Sequence, residues 1–217
     1  MTGMLALGGH YTSFISVLDD QRINGSIWEN DTIRVIILFD EIPADDIFYV
    51  VPVIDGINEW EEKLNAMYPD GEWNIDIALW VDVTDNLEGY DIYTNVVLGY
   101  DIACEEHYKG ITSYDPFIYG KGYIKNEVII TDPCNIDNYK SGGEVRAISS
   151  HEFGHSIGLG HSSVDNDLMC NYENCLFISE APHVSQLNLM AVRLMYGADG
   201  FGLPNTIDFN KTKINNP

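Results

Sequence analysis

Residues 151–161 read His-Glu-Phe-Gly-His-Ser-Ile-Gly-Leu-Gly-His and hold three of the six histidines in the chain. His151 and His155 are four residues apart, so on a helix both imidazoles project from one face and can grip one ion. Glu152 sits beside them, close enough to handle a proton on a water at that ion. Gly158 ends the helix and permits a sharp turn with positive φ, which a residue bearing a side chain resists. That turn lets His161 swing back as a third nitrogen ligand. Three protein ligands leave one position of a tetrahedral zinc open, the layout of a catalytic site rather than a structural one. A lone helical His is ordinarily a satisfied polar side chain, and H-E-x-x-H alone turns up by accident. The complete H-E-x-x-H-x-x-G-x-x-H form favours metal binding.

These residues need a helix under them, and the sequence signals one. Ser141 followed three residues later by Glu144 fits a capping box, and the helix then runs through Val145 and Ile148 to about Ile157. Upstream, Ile-Arg-Val-Ile-Ile-Leu-Phe-Asp at 33–40 is β-branched and reads as a strand. Ile47, Val50, Val51, Ile54, Ile57, Trp60, Leu64 and Met67 recur at threes and fours, the spacing of an amphipathic helix. Pro52 must lie in its first turn or kink it, and Tyr68-Pro69-Asp70-Gly71 closes it with turn chemistry. Further strands are expected at about 74–82, 91–101 and 127–131. Between the last two, residues 105–124 form a Gly-, Tyr- and Pro-rich excursion with one edge strand within 111–124. A last helix starts near Ser185, carries Leu187, Ala191 and Leu194 on one face, and stops at Gly197. Strands come first and helices later, which points to an α+β domain with a mixed sheet.

The chain has 217 residues, 45% of them apolar, and carries 34 acidic against 11 basic side chains for a net charge of −23. That length and apolar content suffice for a real core, so global disorder is not expected. The charge argues against nucleic acid and anionic membranes, whose phosphates meet a field of their own sign. No apolar run reaches the roughly 20 residues of a membrane helix. The first nine residues lack a basic region and a long apolar one, so no signal peptide is read there.

Sequons begin at Asn24, Asn30 and Asn210. The four cysteines, Cys104, Cys134, Cys170 and Cys175, fit two disulfides or four unpaired thiols. Cys170 and Cys175 are near neighbours, with Cys104 and Cys134 the natural remaining pair. The balance leans to an exported protein.

Beyond the histidines, the sequence resembles the metzincin zinc endopeptidases, and among them the matrixins. Leu168-Met169 falls eight residues after His161, where matrixins place their Met-turn. The stretch from Val184 to Tyr196-Gly197 looks like the closing helix of that family. The resemblance covers roughly residues 30–197 and is specific only over 144–197. It implies a zincin-like fold: a twisted mixed sheet, an active-site helix, a backing helix and a C-terminal helix. Residues 1–30 are then an N-terminal extension or short pro-segment, with Asp19 or Asp20 a conceivable cap on the zinc. Residues 31–197 are the catalytic domain and 198–217 a polar tail.

The same resemblance implies roles. His151, His155 and His161 bind one catalytic Zn2+, Glu152 acts as general base, and Met169 forms the apolar floor. The sequence departs from the family at Cys170-Asn171-Tyr172, where Tyr-Pro is common, and Tyr172 is a candidate contact to substrate or intermediate. No Pro-Arg-Cys-Gly motif occurs. Structural Ca2+ is a further implication, with Asp115, Asp132 and Asp137 near the expected loops; solvated surface charge is the other account of them. His107 and His183 read as surface residues. The expected activity is hydrolysis of peptide or protein substrates by a monomer, extracellular or at the cell surface. A catalytically weak binding or inhibitory module is the alternative, and the intact Glu152 argues against it.

Overall fold

A computed structural model of the chain describes residues 20–23, 27–28, 32–38, 47–67, 73–80, 96–98, 110–113, 123–124, 129–133, 141–171 and 182–196. In chain order its elements are β1 (Gln21–Ile23), β2 (Ile27–Trp28), β3 (Thr32–Leu38), α1 (Ile47–Met67), β4 (Asn74–Trp80) and β5 (Val96–Leu98). Then follow β6 (Gly110–Ser113), β7 (Tyr123–Ile124), β8 (Ile129–Pro133), α2 (Gly142–Ser156), β9 (Leu159–Ser162) and α3 (Gln186–Tyr196).

Alternation builds the sheet. Ile33 and Val35 are buried while Arg34 between them faces out, and Trp73 and Ile75 are buried around an exposed Asn74. β3 and β4 pair in parallel from Thr32–Asn74 to Leu38–Trp80. A parallel pair needs a crossover, and α1 supplies it. The five-stranded sheet runs β4-β3-β5-β8-β6, parallel except for β6, which pairs antiparallel with β8 and ends the order. The expected mixed sheet and its edge strand are therefore present, the edge starting at Gly110.

Of the face expected from its spacing, α1 buries Val50, Ile57, Trp60 and Leu64, and it also buries Val53, which that spacing left out. Val51, counted on that face, instead points outward at 55% exposure, and Pro52 lies inside the helix at its sixth residue. α1 lies against α2 at close range: a Cβ on Gly56 would sit 2.6 Å from the Arg146 carbonyl oxygen. Trp60 crosses the same contact and donates its indole N–H to the Ser150 carbonyl at 2.9 Å.

α3 turns differently from the expectation. Leu189, Val192, Met195 and Tyr196 form its buried stripe with Ala191, while Leu187 and Leu194 are only half-buried. Asn188 is also fully buried on that side, where its amide donates to Gln21 Oε1 and Asp167 Oδ1. β1 and β2, within the stretch read as an extension, add to the core. β1 pairs antiparallel with β9, β2 pairs with β7, and Ile23 and Trp28 join the central apolar cluster. No described helix is long and apolar enough to cross a membrane.

Candidate metal centre

α2 begins as its sequence dictates, with the Ser141 hydroxyl accepting from the Glu144 N–H at 3.3 Å. It ends at Gly158, whose φ of 103° is the left-handed turn expected of a glycine there. A buried helix end needs donors for its last carbonyls. Trp28 supplies one through its indole N–H to the Ser156 carbonyl at 3.0 Å, and the Tyr196 hydroxyl donates to the Ile157 carbonyl at 3.0 Å. The helix is thereby fixed at both ends, and β9 leaves it at a set angle.

Helix, turn and strand bring His151, His155 and His161 together. Their ligand atoms lie within 4.8 Å of one another, and their ring centroids are separated by 4.7, 4.9 and 5.4 Å. Nitrogens of a tetrahedral zinc site sit roughly 3.4 Å apart, and ligand atoms within 4.8 Å of one another are close enough to serve one ion. His151 Nδ1 lies 2.6 Å from the Leu168 carbonyl, and His155 Nδ1 lies 2.8 Å from the Leu159 carbonyl. A carbonyl only accepts, so each Nδ1 carries the proton and each Nε2 keeps its lone pair for a metal.

Electrostatics favour the same state. Burial, then the neighbouring His155, push the His151 pKa well below the usual imidazole range, against the pull of the Leu168 carbonyl. Burial and His161 lower His155 to about 4. Neutral imidazole is the form that binds metal. The donor set thus fits zinc.

The remaining sequence candidates divide. Glu152 is 3% exposed, and its Oε2 accepts a hydrogen bond from the Thr112 hydroxyl at 2.6 Å. Met169 is fully buried against the ligand helix. A Cβ on Gly154 would run into its sulfur and lie 3.0 Å from Trp60, which explains the glycine inside the histidine motif. Cys170 is disulfide-bonded, to a partner outside the described residues. Tyr172, His107, Asp115 and Asp137 also lie outside them, and of Asp132 only the backbone in β8 is described. Asp19 lies outside the described residues, Asp20 engages Ser163 through its backbone carbonyl, and among the described residues the convergent ligand group consists of the three histidines. His183 is exposed and bonds the Glu59 carboxylate at 3.0 Å.

Gly110 and Thr112 beside Glu152 carry no recognisable motif, nor does the largely buried network of Gln21, Asp167, Ser185 and Asn188. Gly-Ile-Thr-Ser on the edge strand was the only visible signal for the first pair.

No curated protein matches the chain significantly. The family model for Matrixin matches residues 55–197, from the middle of α1 to the residue after α3. That span contains every residue of the histidine cluster, the Met169 turn and the helix that closes over it, and it is more than half of the chain. The convergent imidazoles and the matched span agree: the chain belongs to the matrixins, a family of zinc endopeptidases.

Proposed function

We propose that Glu152 is the general base of peptide hydrolysis, with His151, His155 and His161 holding the zinc. Bound there, zinc supplies Lewis-acid polarisation of the scissile carbonyl and acidifies water toward neutral pH. Glu152 takes the proton of the attacking water and passes it to the leaving amine. Met169, packed under α2 at Gly154, supports the ligand helix from below. The substrate lies extended along β6, the last strand of the sheet, and is held by backbone hydrogen bonds.

The observation that carries this reading is one buried carboxylate next in sequence to His151, the first of three converging imidazoles. Quenched-peptide cleavage and zinc content, measured on the same samples, test it. Glu152→Ala is expected to keep its zinc and lose cleavage, whereas His155→Ala loses both. Full proteolysis by Glu152→Ala removes the general-base assignment.

The catalytic domain, which takes in β1 and β2 as well as residues 31–197, acts as a monomer outside the cell or at its surface. The Cys170 disulfide supports an oxidising compartment, since such bonds are rare in the cytosol.

A further inference from the structure

Two residues of β6 meet the Glu152 carboxylate. Thr112 Oγ1 lies 2.6 Å from Glu152 Oε2 and 3.0 Å from the Glu152 backbone oxygen. A hydroxyl has one proton and both neighbours are acceptors. The carboxylate oxygen is the nearer acceptor, so it takes the proton. On the other side, a Cβ at position 110 would lie 2.6 Å from Oε1, 2.8 Å from Cγ and 3.0 Å from Cδ. The carboxylate therefore rests against the bare main chain of Gly110, in space that only glycine leaves.

Glutamate has three side-chain torsions, and its own helix fixes none of them fully. Here the terminal group is set from the neighbouring sheet edge, forty residues away in sequence. We propose that Thr112 is a positioning residue for Glu152: its hydroxyl holds Oε2, and Gly110 provides the room, so the edge strand sets the orientation of the base. The strand that receives an extended peptide is then also the strand that aligns the carboxylate acting on it. This inference rests on the reading of Glu152 as general base.

The test compares the full chain with Thr112→Val, which keeps the shape and removes the hydroxyl, Thr112→Ala, which removes it and leaves space, and Thr112→Ser, which keeps it. Zinc content, thermal midpoint, kcat and KM are measured on each. A hydrogen bond to a charged group is worth enough to make the loss about tenfold or more in kcat for Val and Ala, with KM within about twofold. Zinc content and midpoint stay at the parent values, and Ser restores kcat to within about threefold of the parent. Parent kcat in Val or Ala overturns the proposal, as does a Ser variant no better than Val. Parallel loss of zinc or fold with kcat in both Val and Ala also overturns it, because Thr112 is then scaffold. Glu152→Ala run alongside separates the two readings. If it is active, the base assignment fails; if it is inactive while Val and Ala are unimpaired, only the role of Thr112 fails.

Discussion

Gly154 and Met169 compete for one space. A Cβ at position 154 would run into the Met169 sulfur, lie 3.1 Å from its terminal methyl and 3.0 Å from Trp60 Cζ2. Trp60 cannot yield easily, because it is fully buried and bonded to the Ser150 carbonyl. Gly154→Ala gains up to about 1 kcal/mol of helix propensity, but overpacking a closed core costs about 1–3 kcal/mol. The balance is a loss. The variant is expected to unfold at a lower temperature. It should also release zinc to a chelator sooner, because the Leu168 carbonyl that holds His151 precedes Met169. A midpoint at or above that of the parent protein would show that Met169 moves aside freely.

What the sequence could disclose was mostly local. His151, His155, Gly158 and His161 lie within eleven residues, so helical geometry and one glycine determine their relation. Ser141 and Glu144 are likewise three apart. Thr112 and Glu152 are forty apart, and their meeting depends on the register of β6 against β8, which no short-range pattern encodes. Gln21 and Asn188 are still further separated. β1 and β2, with three and two residues, are too short to show alternation. The buried face of α3 is hard to read for another reason. Leu187, Leu189, Met190, Ala191, Val192, Leu194 and Met195 make it apolar nearly all round, so periodicity alone does not choose a face, and the partners of the buried Asn188 are distant in sequence.

Removal of the metal should expose a pH dependence. In the folded chain His155 protonates only near pH 4, and His151 is held well below its usual range. In the unfolded chain both protonate near pH 6.5. Between those values the unfolded state binds more protons, so stability rises with pH across this window and is lost as pH falls through it. Urea unfolding of the chelated protein is expected to give a flat stability above about pH 7 and a steady fall toward about pH 4. Replacing His155 by Asn should flatten part of that fall. An unchanged slope would mean that His155 is not buried as a neutral ring.

Asp167 joins the Met-turn to α3. Its Oδ1 accepts from the Met169 N–H at 2.9 Å and from Asn188 Nδ2 at 2.7 Å, and its Oδ2 accepts from the Ser185 hydroxyl. Asp167→Ala strands buried donors at about 1–3 kcal/mol each. A loss of about 3 kcal/mol or more is expected in denaturant unfolding, with weaker zinc retention. Asp167→Asn should cost less, because Oδ1 can stay in place while the Ser185 hydroxyl turns to accept from the new amide. Equal losses in the two variants would show that charge, rather than the count of acceptors, holds the turn.

The net charge of −23 surrounds a centre in which burial keeps His151 and His155 neutral. Such a field concentrates cations near the molecule and repels acidic peptides, and it acts mainly on association. Peptides flanked by Lys should therefore be cleaved with higher kcat/KM than the same peptides flanked by Glu at low ionic strength. A pocket that prefers Lys would give the same order, so salt must separate the two causes. With a Debye length of about 10 Å at 0.1 M, long-range steering fades as salt rises, whereas contacts inside a pocket are screened far less. The expected result is a Lys-over-Glu ratio that shrinks toward unity with added salt. A ratio that stays constant assigns the preference to the pocket, and equal cleavage at low salt removes the acidic surface from any part in substrate choice.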